Sequence, residues 1–101
     1  MKERPEYDLE KTGEQFKRLR EKNGLSVEEV RKYMKLASLQ SIYKWEYGKN
    51  FPSADNLLAL AELYGVRAED MLVKIMPKKP KEEAEKIMLF GMQGMDYEVS
   101  A

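Results

Sequence analysis

The stretch SLQSIYKWEYGK, residues 38–49, gathers the side chains whose types and spacing best suit specific chemistry. Gln40 and Lys44 stand four residues apart with Ser41 and Tyr43 beside them, while Leu39, Ile42 and Trp45 recur at helical spacing. An amide, hydroxyls and an ammonium on one helix face can hydrogen-bond a surface in a set pattern. They are ill suited to breaking bonds. The chain has no histidine and no cysteine, which removes the commonest general base, the commonest metal ligand and the thiolate nucleophile. Carboxylates, lysines and hydroxyls remain, and the acids fall at helix caps and surfaces rather than as a pair gathered by one cleft. An enzyme is disfavoured, and no metal or cofactor is expected.

The elements that must position this face are helices. A chain of 101 residues, 43% hydrophobic and 36% charged, makes one domain with a modest core and an ionic surface. The first helix starts between Asp8 and Thr12 and runs to about Asn23, with Phe16 and Leu19 inward and Gly24 ending it. A late start would use Thr12 and Gln15 as a capping box. Ser26 and Glu29 form an S-x-x-E box for the second helix, whose apolar positions are Val27, Val30, Tyr33 and Met34. The third is the stretch above, capped by Ser38 and closed by Gly48.

Pro52 and Ser53 open the fourth helix, with Leu57, Leu58, Leu60, Ala61, Leu63 and Tyr64 as its apolar face and Gly65 as its stop. A fifth spans about Ala68 to Ile75, turning Met71, Leu72 and Ile75 inward behind Arg67, a poor cap. No stretch alternates as a strand would. Residues 1–11 read as an arm or the start of the first helix, 12–76 as the folded domain and 77–101 as a charged linker, PKKPKEEAEK, with an apolar tail, KIMLFGMQGMDY. That tail either folds back or meets a protein partner.

The charges, zero in sum, separate along the chain. Phe16 to Asn50 holds nine bases against four acids, whereas Phe51 to Val73 holds Arg67 against Asp55, Glu62, Glu69 and Asp70. The first part could attract a polyanion; the second would not. The longest apolar run, LLALA at 57–61, is far short of the roughly 20 residues that cross a bilayer. No apolar signal opens the sequence and cysteine is absent, so a soluble, cytoplasmic protein with no membrane contact is expected.

Two short capped helices separated by a few residues satisfy the physical requirements of a helix-turn-helix, whose second helix fits a DNA major groove. Gln pairs with adenine and Lys reaches guanine acceptors there. Gln and Lys on one face are equally the usual makeup of a solvated surface, so periodicity alone leaves both readings open. Trp45, three residues beyond Ile42, belongs to the core.

From about Gly13 to Leu72 the sequence resembles the Cro/C1-type, or xenobiotic-response-element, family of helix-turn-helix DNA-binding domains. The stretches that carry the likeness are FKRLREKNGLS at 16–26, VEEVRKYM at 27–34, SIYKWEYGKNFPS at 41–53 and NLLALAELYGVRAEDML at 56–72. The resemblance implies an all-α, compact five-helix domain, lambda-repressor-like, with a C-terminal tail. It also implies that helix 38–48 enters the major groove of double-stranded DNA, within a homodimer. By position, Leu39, Gln40, Ser41 and Lys44 would read bases with Tyr43 at their edge; Lys17, Lys49 and Asn50 would hold phosphates; Arg20 and Glu46 would form a structural ion pair.

The sequence departs from the family pattern where Val27 replaces a phosphate-anchoring Gln, Arg31 a closely packed Ala and Lys35 the Gly of the turn. Leu39 can offer a base only apolar contact, for instance a thymine methyl. The functions implied are a sequence-specific transcriptional regulator, most simply a repressor, or an antitoxin or protein-interaction module of the same fold. Steep loss of DNA affinity with salt separates the first from the last.

Overall fold

The computed structural model describes residues 2–76. The expected linker and tail at 77–101, with any partner site on them, lie outside the described residues. The order of elements is β1 (Glu6–Tyr7), α1 (Leu9–Lys22), α2 (Val27–Met34), α3 (Gln40–Glu46), α4 (Ala54–Tyr64), α5 (Ala68–Met71) and β2 (Lys74–Ile75). Five helices form the domain, as the sequence led one to expect, but a short antiparallel ladder was not legible in it: Glu6 pairs with Ile75 and Tyr7 with Lys74.

The ladder and the bonds beside it settle one open boundary and correct two expectations. α1 takes the early start, because the Asp8 carboxylate accepts the Lys11 N–H at 2.8 Å. Thr12 is then no cap: fully buried, its Oγ1 accepts the Val73 N–H at 2.9 Å, while the Asp8 N–H donates to the Val73 carbonyl at 2.7 Å. Both polar groups of Val73 are thus satisfied from the start of α1, and the chain there is extended. The fifth helix accordingly stops at Met71, four residues before the expected Ile75. Ile75 sits on the ladder, 43% exposed, rather than inward.

The core joins Phe16 and Leu19 of α1, Val30 and Met34 of α2, Ile42 and Trp45 of α3, Leu60, Ala61 and Tyr64 of α4, and Met71 of α5. Besides Ile75, two residues assigned to apolar faces are exposed: Tyr33 at 44% and Leu58 at 63%. A helix wheel ranks residues by direction alone, whereas neighbours decide how wide the covered stripe is.

Candidate nucleic-acid interface

The two helices of the helix-turn-helix end differently. At the start of α2 the Ser26 hydroxyl accepts the Glu29 N–H at 3.1 Å and the Glu29 carboxylate accepts the Ser26 N–H at 2.8 Å. The bond from the Ser26 N–H holds the Glu29 carboxyl below its ordinary value. The helix closes on Lys35 in the left-handed region, φ +58, with the Leu36 N–H returning to the Arg31 carbonyl at 3.1 Å. The lysine therefore adopts the backbone conformation for which a glycine is the usual solution. Arg31 does not press toward α3: its guanidinium lies along its own helix, donating twice to the Glu28 carboxylate and once to the Leu36 carbonyl, each at 2.8 Å. Glu28 is held below the usual carboxylate range by that guanidinium. Val27, at the place of the missing Gln, is half-buried against the core.

α3 is shorter than the 38–48 expected. Its cap residue is Leu39 in helical conformation with no side-chain cap bond, so Ser38 does not cap it. The Leu39 carbonyl accepts the Ile42 and Tyr43 N–H groups at 3.1 and 3.2 Å. At the other end Gly48 has φ +70, and the Lys49 N–H donates to the Lys44 carbonyl at 2.8 Å. Lys49's backbone donor is thereby used within the fold, and only its exposed ammonium is left for an outside anion.

What holds α3 in place is α1. A Cβ on Gly13 would lie 2.5 Å from the Glu46 carbonyl oxygen and 2.6 Å from that of Trp45, and one on Gly48 would lie 2.8 Å from the Glu10 Cα. Glycine at both positions lets the two backbones meet. Arg20 then closes the junction: Nε donates to Glu46 Oε2 at 2.7 Å, Nη2 to Oε1 at 3.1 Å and Nη1 to the Leu25 carbonyl at 3.0 Å. The pair is bidentate, and Glu46 is buried. The hydrogen bond to Glu46 raises the Arg20 pKa further, so the guanidinium is charged at any working pH. Nearby, burial pushes the Tyr64 phenol well above its ordinary value of 10.0, and the Glu46 carboxylate adds to the shift.

This anchorage turns Ile42, Trp45 and Glu46 inward and leaves Gln40, Tyr43, Lys44 and Tyr47 exposed, with Ser41 and Leu39 half-buried at the rim. Gln40, Ser41, Tyr43, Lys44 and Lys49 make no side-chain hydrogen bond to any of the described residues. Lys17 is exposed on α1, on the helical stripe that also carries Gly13 and Arg20, both of which touch α3. Asn50 is exposed in the loop after it. The sequence reading passed over Tyr47, although its i, i+4 spacing from Tyr43 was visible; the structure stacks the two rings. It also passed over Gly13, a glycine inside a helix, which is a recognised sign of close packing. Among the described residues no cluster of acids could hold a metal ion.

A short helix with an exposed polar face, seated on a buried ion pair, fits the second helix of a helix-turn-helix. The family model described as "Helix-turn-helix domain" matches residues 13–75. The chain belongs to that family. Within it this helix-turn-helix domain carries the Cro/C1-type pattern that its sequence suggested. Among solved structures, the restriction-modification controller protein C.AhdI from Aeromonas hydrophila is 28% identical with a TM-score of 0.58, the match covering 63% of this chain and 96% of that one. The clp gene regulator ClgR from Corynebacterium glutamicum is 19% identical with a TM-score of 0.57, covering 62% and 66%. The BldD DNA-binding domain of S. venezulae is 23% identical with a TM-score of 0.55, covering 64% and 96%. By their descriptions these are regulators and a DNA-binding domain, not enzymes. No curated protein matches the sequence significantly. No helix among the described residues is long and apolar enough to cross a membrane.

Proposed function

We propose that this protein is a sequence-specific DNA-binding transcriptional regulator, acting as a repressor, which places α3 in the major groove. The observation that carries this reading is the outward face of α3. Its amide, hydroxyl and ammonium groups are unspent within the fold, while Arg20, Glu46 and the Gly13 contact fix the helix beneath them. Gln40 suits adenine, Lys44 guanine and the half-buried Leu39 a thymine methyl, with Ser41 and Tyr43 completing the base contacts. The ammonium groups of Lys17 and Lys49 and the Asn50 amide hold phosphates on either side of the groove. The place of action is the cytoplasm, and the form on DNA is a homodimer whose two α3 helices meet successive major grooves. C.AhdI, a controller protein 28% identical, supports regulation as the role.

Selection of bound duplexes from a random pool, at two salt concentrations, tests this. The expected product is an inverted repeat with half-sites about 10 base pairs apart, bound more weakly as salt rises. A pool without enriched sequences would sink the proposal.

A second reading, an antitoxin or protein-interaction module, draws on Leu58 of α4, a large apolar side chain 63% exposed. It would take a protein as its main partner, with residues 77–101 as part of the contact. Weak, salt-independent association with DNA is its signature.

A further inference from the structure

The exposed face of α3 consists of Gln40, Tyr43, Lys44 and, just past the last helical residue, Tyr47, spaced i, i+3, i+4 and i+7. Tyr47 is 62% exposed and Tyr43 39%. Their ring centroids are 5.9 Å apart and their planes 11° from parallel, an offset stack. The Tyr47 N–H also donates to the Tyr43 carbonyl at 2.8 Å, so backbone and rings are tied at the same step. Tyr7 and Tyr33 are comparably exposed, yet neither has a stacked aromatic partner among the described residues. The stacked pair lies instead on the helix face that carries the proposed base contacts.

We infer that Tyr47 is a positioning residue for DNA recognition: its ring holds Tyr43 in a single rotamer, so that the Tyr43 side chain meets the duplex already placed. The inference rests on the DNA reading above. A tyrosine free to rotate loses that freedom when it binds, and a stacked neighbour removes part of the loss beforehand. The stack needs the aromatic ring of Tyr47 and not its hydroxyl. Tyr47 therefore influences which sequence is bound without reading a base.

The test uses the full chain and the duplex recovered by selection, with Tyr47→Ala, Tyr47→Phe, Tyr43→Ala and the double variant Tyr43→Ala/Tyr47→Ala. Circular dichroism should show all four folded, and thermal melting should fall by no more than the loss of one surface aromatic pair, since both rings are exposed. Tyr47→Ala should weaken binding about two- to tenfold, the range expected when one side chain must be immobilised on binding, and should flatten preference at the base pair that Tyr43→Ala also flattens. Tyr47→Phe should bind as the parent does. In the Tyr43→Ala background, Tyr47→Ala should add nothing. Additive losses, or a loss in Tyr47→Phe equal to that in Tyr47→Ala, would overturn the positioning role, the second by making the hydroxyl a direct contact. Failure of the parent protein to enrich any duplex would overturn the DNA reading and this inference with it, whereas enrichment with additive variants removes the inference alone.

Discussion

α2 and α3 are neighbours of nearly equal length, yet they use their polar side chains in opposite ways. Around α2, Ser26 and Glu29 bond each other's backbone, and Arg31 binds Glu28 and the Leu36 carbonyl. Along α3 only Glu46 is bonded, to Arg20, and Gln40, Ser41, Tyr43 and Lys44 make no side-chain hydrogen bond to the described residues. A polar group bonded inside the fold must lose that bond before it can bind a ligand, whereas one bonded only to water exchanges at little net cost. α2 is therefore suited to bracing and α3 to recognition. The difference also explains how the domain tolerates Arg31 and Lys35 where smaller residues are usual: the first is folded along its own helix, and the second accepts a left-handed backbone.

The largest loss is expected at the base of α3. Glu46→Ala would leave the Arg20 guanidinium, 11% exposed, without its partner, and should cost about 3 kcal/mol, read from urea unfolding. Retention of full stability would mean that α3 is held by packing alone. Changes on the outer face should spare folding and act on DNA. Gln40→Ala should cost about 1 to 3 kcal/mol of binding and relax preference at one base pair, while Lys49→Ala should weaken all sequences alike and reduce the salt dependence. Equal losses on every site from both variants would remove base reading from Gln40.

On the α2 side, Lys35→Gly should raise stability by about 1 kcal/mol, because glycine enters the left-handed region without the steric cost of a Cβ. An unchanged melting temperature would mean that the lysine's backbone is unstrained. The smallest effects belong to pH. Glu28 and Glu29 have lowered values in the fold, so their contribution is complete above the ordinary carboxylate value of 4.5 and fades as pH falls through the lowered ones. Glu29→Gln should flatten this acid limb in urea midpoints taken between about pH 6 and 3. Tyr64, raised by burial, has the opposite sign: its contribution is complete below its ordinary value of 10.0 and is lost as pH rises beyond it. Tyr64→Phe should remove that alkaline dependence.

Local rules were legible wherever a short segment settles its own conformation. The Ser26–Glu29 box, the left-handed turns at Gly24, Gly48 and Gly65, and the inward Phe16, Leu19, Val30, Ile42 and Leu60 follow from capping chemistry, glycine's freedom and helical period. The outward polar side chains of α3 were legible for the same reason, since Ile42 and Trp45 fix which way the rest must face. Arg20 and Glu46, far apart in sequence, became a candidate pair only through the family resemblance. Helix ends were less legible: Ser38 does not cap α3, and α5 stops at Met71. At the end of α5 the competing partners, Asp8 and Thr12, are distant, and no window of neighbouring residues contains them.

By itself, then, the sequence determined the number of helices, their apolar stripes and the helix that offers amide, hydroxyl and ammonium groups outward. Only the tertiary structure decided that Thr12 serves Val73 across the fold, that Glu6–Tyr7 pairs with Lys74–Ile75, that Gly13 admits the α3 backbone and that Leu58 stays outside the core. It alone decided that Lys49 has its backbone donor occupied and that Tyr47 lies against Tyr43. The physical reason is range: propensity, period and capping act within a few residues, while steric contact and hydrogen-bond satisfaction depend on whichever groups the folded chain brings together.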